Sequence, residues 1–166
     1  MYKYLALAIV SFCISYIGYM IKKSYKNKND FLNELDLFIN YLIVEIKNNK
    51  DSLIIIINRF IKSNNIGLNK FLLDYINILN STFEEKEIYS IIPNNIFFTK
   101  NETEFVFELF NNLGKYDFEN EIGNLNKQKN ELQVYRDKAK DDLIKKGDLY
   151  FKLSLMLSLA IILIAI

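Results

Sequence analysis

Apolar residues fall into three regimes along the chain. The first is an unbroken run from Leu5 to Ile21, about 17 residues and at the short end of what crosses a bilayer, with Ser11, Ser15 and Gly18 as its only small breaks. In the second, from Phe31 to Phe110, apolar positions recur with the 3.6-residue period of a helix that buries one face. In the third, a strongly charged stretch beginning at Asp117 turns apolar at Leu149 and stays so to Ile166.

The periodic middle reads as helices with short loops. Asp30 is placed to cap a helix from Phe31 to about Asn48, whose inward positions are Phe31, Leu35, Phe38, Ile39, Leu42, Ile43 and Ile46. Asn48-Asn49-Lys50 is a turn, and Asp51 is placed to cap a second helix to about Ser63. The Leu53–Ile57 run is locally strand-like because β-branched residues favour strands. Phe60 and Ile61 carry the apolar pattern past strand length, which decides for helix. After the Asn64-Asn65 and Gly67 break, a third helix covers Asn69 to Asn80, with Phe71, Leu72, Tyr75, Ile76 and Leu79 on one face. Thr82 with Glu85, and Thr99 with Glu102, have capping-box spacing. The first opens a short helix to about Ile91, stopped by Pro93-Asn94-Asn95. The second opens a helix with Phe105, Leu109 and Phe110 inward, ending at Leu113-Gly114, where glycine suits the left-handed position after a helix.

Asp117 is a good N-cap for the last helix. Nothing from Phe118 onward demands a stop; Gly123 and Gly147 each weaken the helix by only about 1 kcal/mol relative to Ala. About 49 residues of helix would measure about 75 Å at 1.5 Å per residue, which suits a stalk entering a membrane. Phe118, Ile122, Leu125, Lys129, Leu132, Arg136, Ala139 and Leu143 follow alternating steps of four and three, the spacing of a coiled-coil seam. Lys129 and Arg136 interrupt it. The stripe either packs on the rest of its own domain or pairs with a second copy; the seam residues that fit either reading are Phe118, Ile122, Leu125, Leu132, Ala139 and Leu143.

Composition narrows the chemistry. The chain of 166 residues has room for one domain with a real core and a formal net charge of +1, so no overall field favours nucleic acid. It contains no His, which removes the commonest general base and metal ligand and every Ser-His or Cys-His arrangement. The single Cys, Cys13, has no internal disulfide partner, and the five Gly form no phosphate loop. Glu84, Glu85 and Glu87 sit in a first helical turn, where acids offset the helix dipole. Asp141 and Asp142 lie among lysines on what reads as a solvated, ion-paired face. A di-iron bundle needs Glu-x-x-His and has no His to use. The expectation is a non-enzyme with no cofactor and no metal, a scaffold or docking protein.

Charge also orients the chain. Lys22, Lys23, Lys26 and Lys28 follow the first apolar run; Lys138, Lys140, Lys145, Lys146 and Lys152 precede or enter the last. The positive-inside rule then places the centre in the cytosol and both termini outside, in a two-pass cell-membrane protein. No small-x-small cleavage site precedes Lys22, and Phe12 before Cys13 does not fit a lipoprotein signal, so the first run reads as an uncleaved anchor. Tyr2, Tyr4, Tyr16 and Tyr19 sit towards its ends, where amphipathic rings favour the interface. The second span is the shorter: Leu153 to Ile166 is about 14 residues, or about 18 if Leu149 joins and Lys152 snorkels. The alternative there is a tucked hydrophobic helix. The resulting architecture is all-α: a helical bundle with a long C-terminal stalk helix, framed by N- and C-terminal transmembrane helices. Its segments are 2–21 (transmembrane), 22–150 (cytosolic, with the bundle at 30–114 and the stalk at 118–150) and 151–166 (transmembrane).

Two motifs stand in this frame: Leu42-x-x-Glu45-Ile46 within the Leu35–Ile46 segment, and Leu113-Gly114-x-x-Asp117 after Phe110-Asn111-Asn112. In order, spacing and framing apolar segments, the whole chain resembles the stage III sporulation protein AB family of endospore-forming Firmicutes. The resemblance implies a part in the complex linking mother cell and forespore, on the mother-cell membrane around the forespore. The family is similar to the inner-membrane platform protein of type II secretion and type IV pilus machines. By that likeness the cytosolic bundle would dock a secretion-type ATPase, stage III sporulation protein AA, and the membrane segments would meet other channel membrane proteins. The implied docking or fold residues are Leu42, Glu45, Ile46, Leu113, Gly114 and Asp117. A homo-oligomer is compatible with this. The competing reading is a stand-alone membrane-anchored coiled-coil scaffold of the envelope that self-associates through Phe118 to Leu143.

Overall fold

The structure, a computed structural model, describes residues 2–49, 51–81 and 86–165. Every regular element among them is helical: α1 (Tyr2–Asn48), α2 (Leu53–Ser63), α3 (Leu68–Asn80), α4 (Lys86–Ile91), α5 (Lys100–Asn112), α6 (Phe118–Asp142), a π-helical segment (Leu143–Gly147) and α7 (Asp148–Ala165). They form two compact units, one made of residues up to Asn29 and from Asp137 on, the other of Asp30–Arg136.

The Asp30–Arg136 unit is built round aromatic side chains that the helical period turns inward. Phe38 of α1 stacks on Phe110 of α5 with centroids 6.1 Å apart. Phe71 and Tyr75 of α3 meet the same Phe110 ring edge-on at 4.7 and 4.9 Å, the arrangement that the ring quadrupole favours. Phe60 of α2 closes on Phe38 at 5.1 Å. The Tyr75 hydroxyl is not stranded by its burial, because it donates to the Phe110 carbonyl at 2.8 Å. Leu32, Leu35, Ile39 and Leu42 of α1, Leu68 and Leu72 of α3, Ile88 of α4, and Leu125 and Leu132 of α6 are fully buried around this cluster. The β-branched run of α2 is helical because Ile56, Ile57 and Phe60 share the buried face; burial outweighs the local strand preference.

Two caps predicted from spacing are present. Thr99 Oγ1 accepts from the Glu102 N–H at 3.4 Å, and the Thr99 N–H donates to Glu102 Oε2 at 2.7 Å. Asp117 Oδ1 accepts from the Asn120 N–H at 3.0 Å. Two others are corrected. Asp30 caps nothing at a helix start, because α1 runs through it without a break; no residue before it forces the backbone out of the helix. Asp51 does not cap α2: Ser52 holds that position without a side-chain bond, and Asp51 instead accepts from Arg59 Nη2 at 2.9 Å. The amino end of α3 is capped from another helix: the Leu68 N–H donates to Glu34 Oε2 at 2.7 Å. The Thr82–Glu85 box, with Glu84, and Lys50 of the predicted turn lie outside the described residues.

The other unit pairs the first part of α1 with the π-helical segment and α7. Ser11 Oγ donates to the Ser158 carbonyl at 3.2 Å, and Ser158 Oγ donates to the Ser11 carbonyl at 3.0 Å. Gly18 faces Ser154 so closely that a Cβ there would overlap its hydroxyl. Small residues that bring two backbones together, with hydroxyls bonded across, are how helices associate where lipid removes the hydrophobic drive. Away from this contact the helices expose Ile9, Phe12, Ile17 and Met20 on α1, and Leu153, Met156, Leu157, Leu159 and Leu163 on α7. Of the described helices, α1 contains a stretch long and apolar enough to cross a membrane.

The predicted single helix from Phe118 to the C-terminus is helical throughout its described length, but it is not uniform. Its buried positions Leu125, Leu132 and Ala139 step by seven; the next, Gly147, comes after eight. The π-helical turn absorbs the additional residue. This is why Leu143, expected on the seam, is only half-buried. Phe118 is likewise off the stripe, half-exposed, and Ile122 lies at its edge, while Glu121 and Gln128 are buried where Ile122 and Lys129 were expected.

The isolated segment 30–136 is predicted to unfold in urea as one cooperative transition. Phe110→Ala should lower its stability by about 3–5 kcal/mol, and Thr99→Ala by about 1 kcal/mol. A segment without a cooperative transition would show that this unit does not stand alone.

Candidate functional site

The Leu113-Gly114-x-x-Asp117 motif builds the turn between α5 and α6. Leu113 is buried and ends α5. Gly114 takes φ of +80°, a conformation in which a Cβ is strained. Its N–H donates to Glu121 Oε1 at 3.0 Å, so a carboxylate one turn and more into α6 reaches back to hold the turn. The Leu53 side chain packs at 3.3 Å from where a Gly114 Cβ would sit, bringing the start of α2 against the same turn. Tyr116 and Phe118, beside it, are half-exposed.

Glu121 is the residue of this site that sequence reasoning missed. It stands at 3 % exposure, and its second oxygen, Oε2, has no hydrogen-bond partner. Burial raises its carboxyl above the ordinary value, opposed by the backbone N–H groups of Gly114 and Tyr116. Burial, and then the Glu121 charge, raise the Tyr75 hydroxyl in turn. The only signal in the sequence was its position four residues after an N-cap, where an acid is ordinarily read as a dipole partner on the surface.

Leu42, Glu45 and Ile46 divide into two roles. Leu42 and Ile46 are core residues. Glu45 is half-buried, accepting from Asn49 Nδ2 at 2.8 Å and pairing with Arg59. With Asp51 on the other side of that guanidinium, Arg59 ties the end of α1, the following loop and α2 together. Arg136, expected on the seam, bonds Asn33 at 2.9 Å and Asp36 at 3.0 Å on α1. Leu125 and Leu132 are fully buried, so this part of the stripe is used within the unit.

The lysines expected to mark topology are not equivalent. Lys22 pairs with Asp148 at 2.8 Å and sits over the Phe151 ring. Lys145 and Lys146 pair with Asp141 and Asp142 at 2.6 and 2.7 Å. Lys23, Lys26 and Lys152 are exposed. Lys28 is the exception, buried at 2 % exposure; its place on the inner side of α1 takes it out of any surface cluster. Among the described residues no group of three or more His, Cys, Asp or Glu is arranged to hold a metal. Asp141 and Asp142 are engaged by lysines rather than facing each other across a cleft.

Residues 3–166 match the family model described as stage III sporulation protein AB. No curated protein and no solved structure matches the chain.

The raised Glu121 carboxyl fixes a pH dependence. Above 4.5 the unfolded chain loses this proton while the folded chain still holds it, so stability falls as pH rises through the window between 4.5 and the raised value. Urea midpoints of 30–136 measured across that window should fall, and Glu121→Gln should flatten the slope. Gly114→Ala should cost about 1 kcal/mol at any pH, since its strain does not titrate.

Proposed function

The chain belongs to the stage III sporulation protein AB family, and from that premise we propose that it is a non-enzymatic membrane platform of the sporulation channel. In this reading the Asp30–Arg136 unit docks a cytosolic secretion-type ATPase, stage III sporulation protein AA, and the apolar helices seat the assembly in the mother-cell membrane around the forespore. The observation that carries the reading is the α5–α6 turn. Gly114, Asp117 and Glu121 hold it rigidly from beneath, while the aromatic rings of Tyr116 and Phe118 remain half-exposed at its surface. Fixed backbone presenting exposed aromatic side chains suits partner recognition, where Tyr and other rigid side chains dominate the energetics.

The finer topology belongs to the same proposal. α1 contains a stretch suited to crossing the membrane, and α7, paired with it through Ser11 and Ser158, would be a second span. In this reading the lysines beside both apolar segments favour, by the positive-inside rule, a central unit in the cytosol with both termini outside. Self-association through a stalk seam has less support, because Leu125 and Leu132 are buried inside their own unit and Glu121 and Gln128 are buried where Ile122 and Lys129 were expected.

Deleting the gene should leave growth normal and arrest forespores after engulfment, scored with a membrane dye and a late forespore reporter. Tyr116→Asp should reproduce the arrest and lose the ATPase in a pull-down, while the variant's urea midpoint stays at the wild-type value. Normal spores after deletion, or a defect already present in growing cells, would refute the platform.

A further inference from the structure

The chain's net charge of +1 conceals a local imbalance that the paired helices of α1 and α7 create. Three contacts set the level at which the helices align: Lys22 with Asp148, Lys22 over Phe151, and Tyr25 against Gly147. Lysines 23 and 26 flank this level on α1, and lysines 145, 146 and 152 flank it on the other helix. Three of the six have carboxylate partners at hydrogen-bond distance, Lys22, Lys145 and Lys146. Lys152 acts electrostatically on Asp148, which Lys22 already holds. Lys23 and Lys26 are exposed on α1 with no carboxylate of this level paired to them. Six cations therefore meet three anions, a local charge of +3.

This collar lies at a chemical boundary. On one side are the exposed apolar side chains of Ile17, Met20, Leu153 and Met156. On the other, the helices carry Asp141, Asp142 and their lysines. Tyr19 and Tyr150 are half-exposed at the boundary, the place where amphipathic rings settle in a bilayer. Lysine stems reach along apolar surface and put the ammonium at the headgroup level.

We infer that Lys23, Lys26 and Lys152, at the level set by the Lys22–Asp148 pair, form a collar that binds the phosphate groups of anionic phospholipids. The collar is assembled from segments far apart in sequence, so it exists only when α1 and α7 are paired. The inference rests on the membrane reading above and adds a lipid class to it. Partial neutralisation is part of the design. Asp148 fixes Lys22 in place, leaving the neighbouring cations to lipid, and each such lysine near an anionic surface strengthens attraction to it by about fivefold.

The test uses the full chain reconstituted in phosphatidylcholine vesicles, with a trace of spin-labelled phosphatidylglycerol or spin-labelled phosphatidylcholine as probe. The wild-type chain should hold the anionic label at its boundary about fivefold or more over the zwitterionic one, and the preference should shrink at raised ionic strength. The combined variant Lys23→Gln, Lys26→Gln, Lys152→Gln should lose most of the preference, whereas Lys100→Gln, in the other unit, should keep it. Equal retention of both labels by the wild type, or a preference unchanged by the triple variant, overturns the collar. Displacement of the label by inorganic phosphate beyond that by chloride at the same ionic strength would assign the collar to free phosphate and also overturn it. A chain that fails to enter neutral vesicles at all overturns the membrane reading itself, an outcome distinct from the others.

Discussion

α1 has to serve in two surroundings without interrupting its backbone. α1 runs from Tyr2 to Asn48 without a break, so no turn marks the change of task. What changes is the side-chain pattern. As far as Met20 the helix is apolar almost all round, with a narrow inner strip at Ser11 and Gly18. From Phe31 most apolar residues gather on one buried face, while Leu37 and Val44 are exposed and Asn33, Asp36 and Glu45 lie away from the core face. An all-round apolar helix needs an apolar medium, and a one-sided one needs a core. The remaining elements answer these two demands separately: α7 meets the strip at Ser11 and Gly18, and α2, α3, α5 and α6 supply the core against Phe31, Phe38 and Leu42.

Two kinds of polar burial hold the units. In Asp30–Arg136 three buried polar groups serve helix ends and turns: Glu102 with Thr99, Glu121 with Gly114, Tyr75 with the Phe110 carbonyl. Each closes an exposed end of a helix, where unpaired backbone groups would otherwise be stranded. In the other unit the buried Ser11 and Ser158 bond to each other's backbone in mid-helix. The first kind fixes where helices stop. The second fixes how two helices align.

Features that depend on residues near in sequence were legible from the chain alone. The Thr99 box, the Gly114 turn, the Asp117 cap and the inward face Phe38, Leu42 and Phe110 all follow from spacing. So did the absence of any strand among the described residues, even across the β-branched run of α2. What escaped was decided by partners far along the chain. Asp51 has the right spacing for a cap, but Arg59 offers its carboxylate a charged partner. Asp30 has the right composition for one, but no residue before it breaks the helix. Glu34 caps α3 from another element, which no local pattern signals. Nothing in the local spacing marks Glu121 as buried beneath the turn. The stalk seam was misplaced at Phe118, Ile122 and Leu143, because strict heptad counting cannot foresee one additional residue at Leu143–Gly147 or a glutamate drawn inward by a glycine amide.

The reciprocal serine bonds have a mechanical consequence. Each hydroxyl is satisfied by the opposite helix's carbonyl, and the Gly18–Ser154 approach leaves no room for a side chain between them. Sliding one helix along the other by a single residue would break both bonds together and drive larger side chains into a gap shaped for hydrogen and hydroxyl. The pair therefore has one register rather than a range of nearly equal ones. It acts as a latch with a single notch: axial load on α1 passes to α7 without slip until both bonds fail at once.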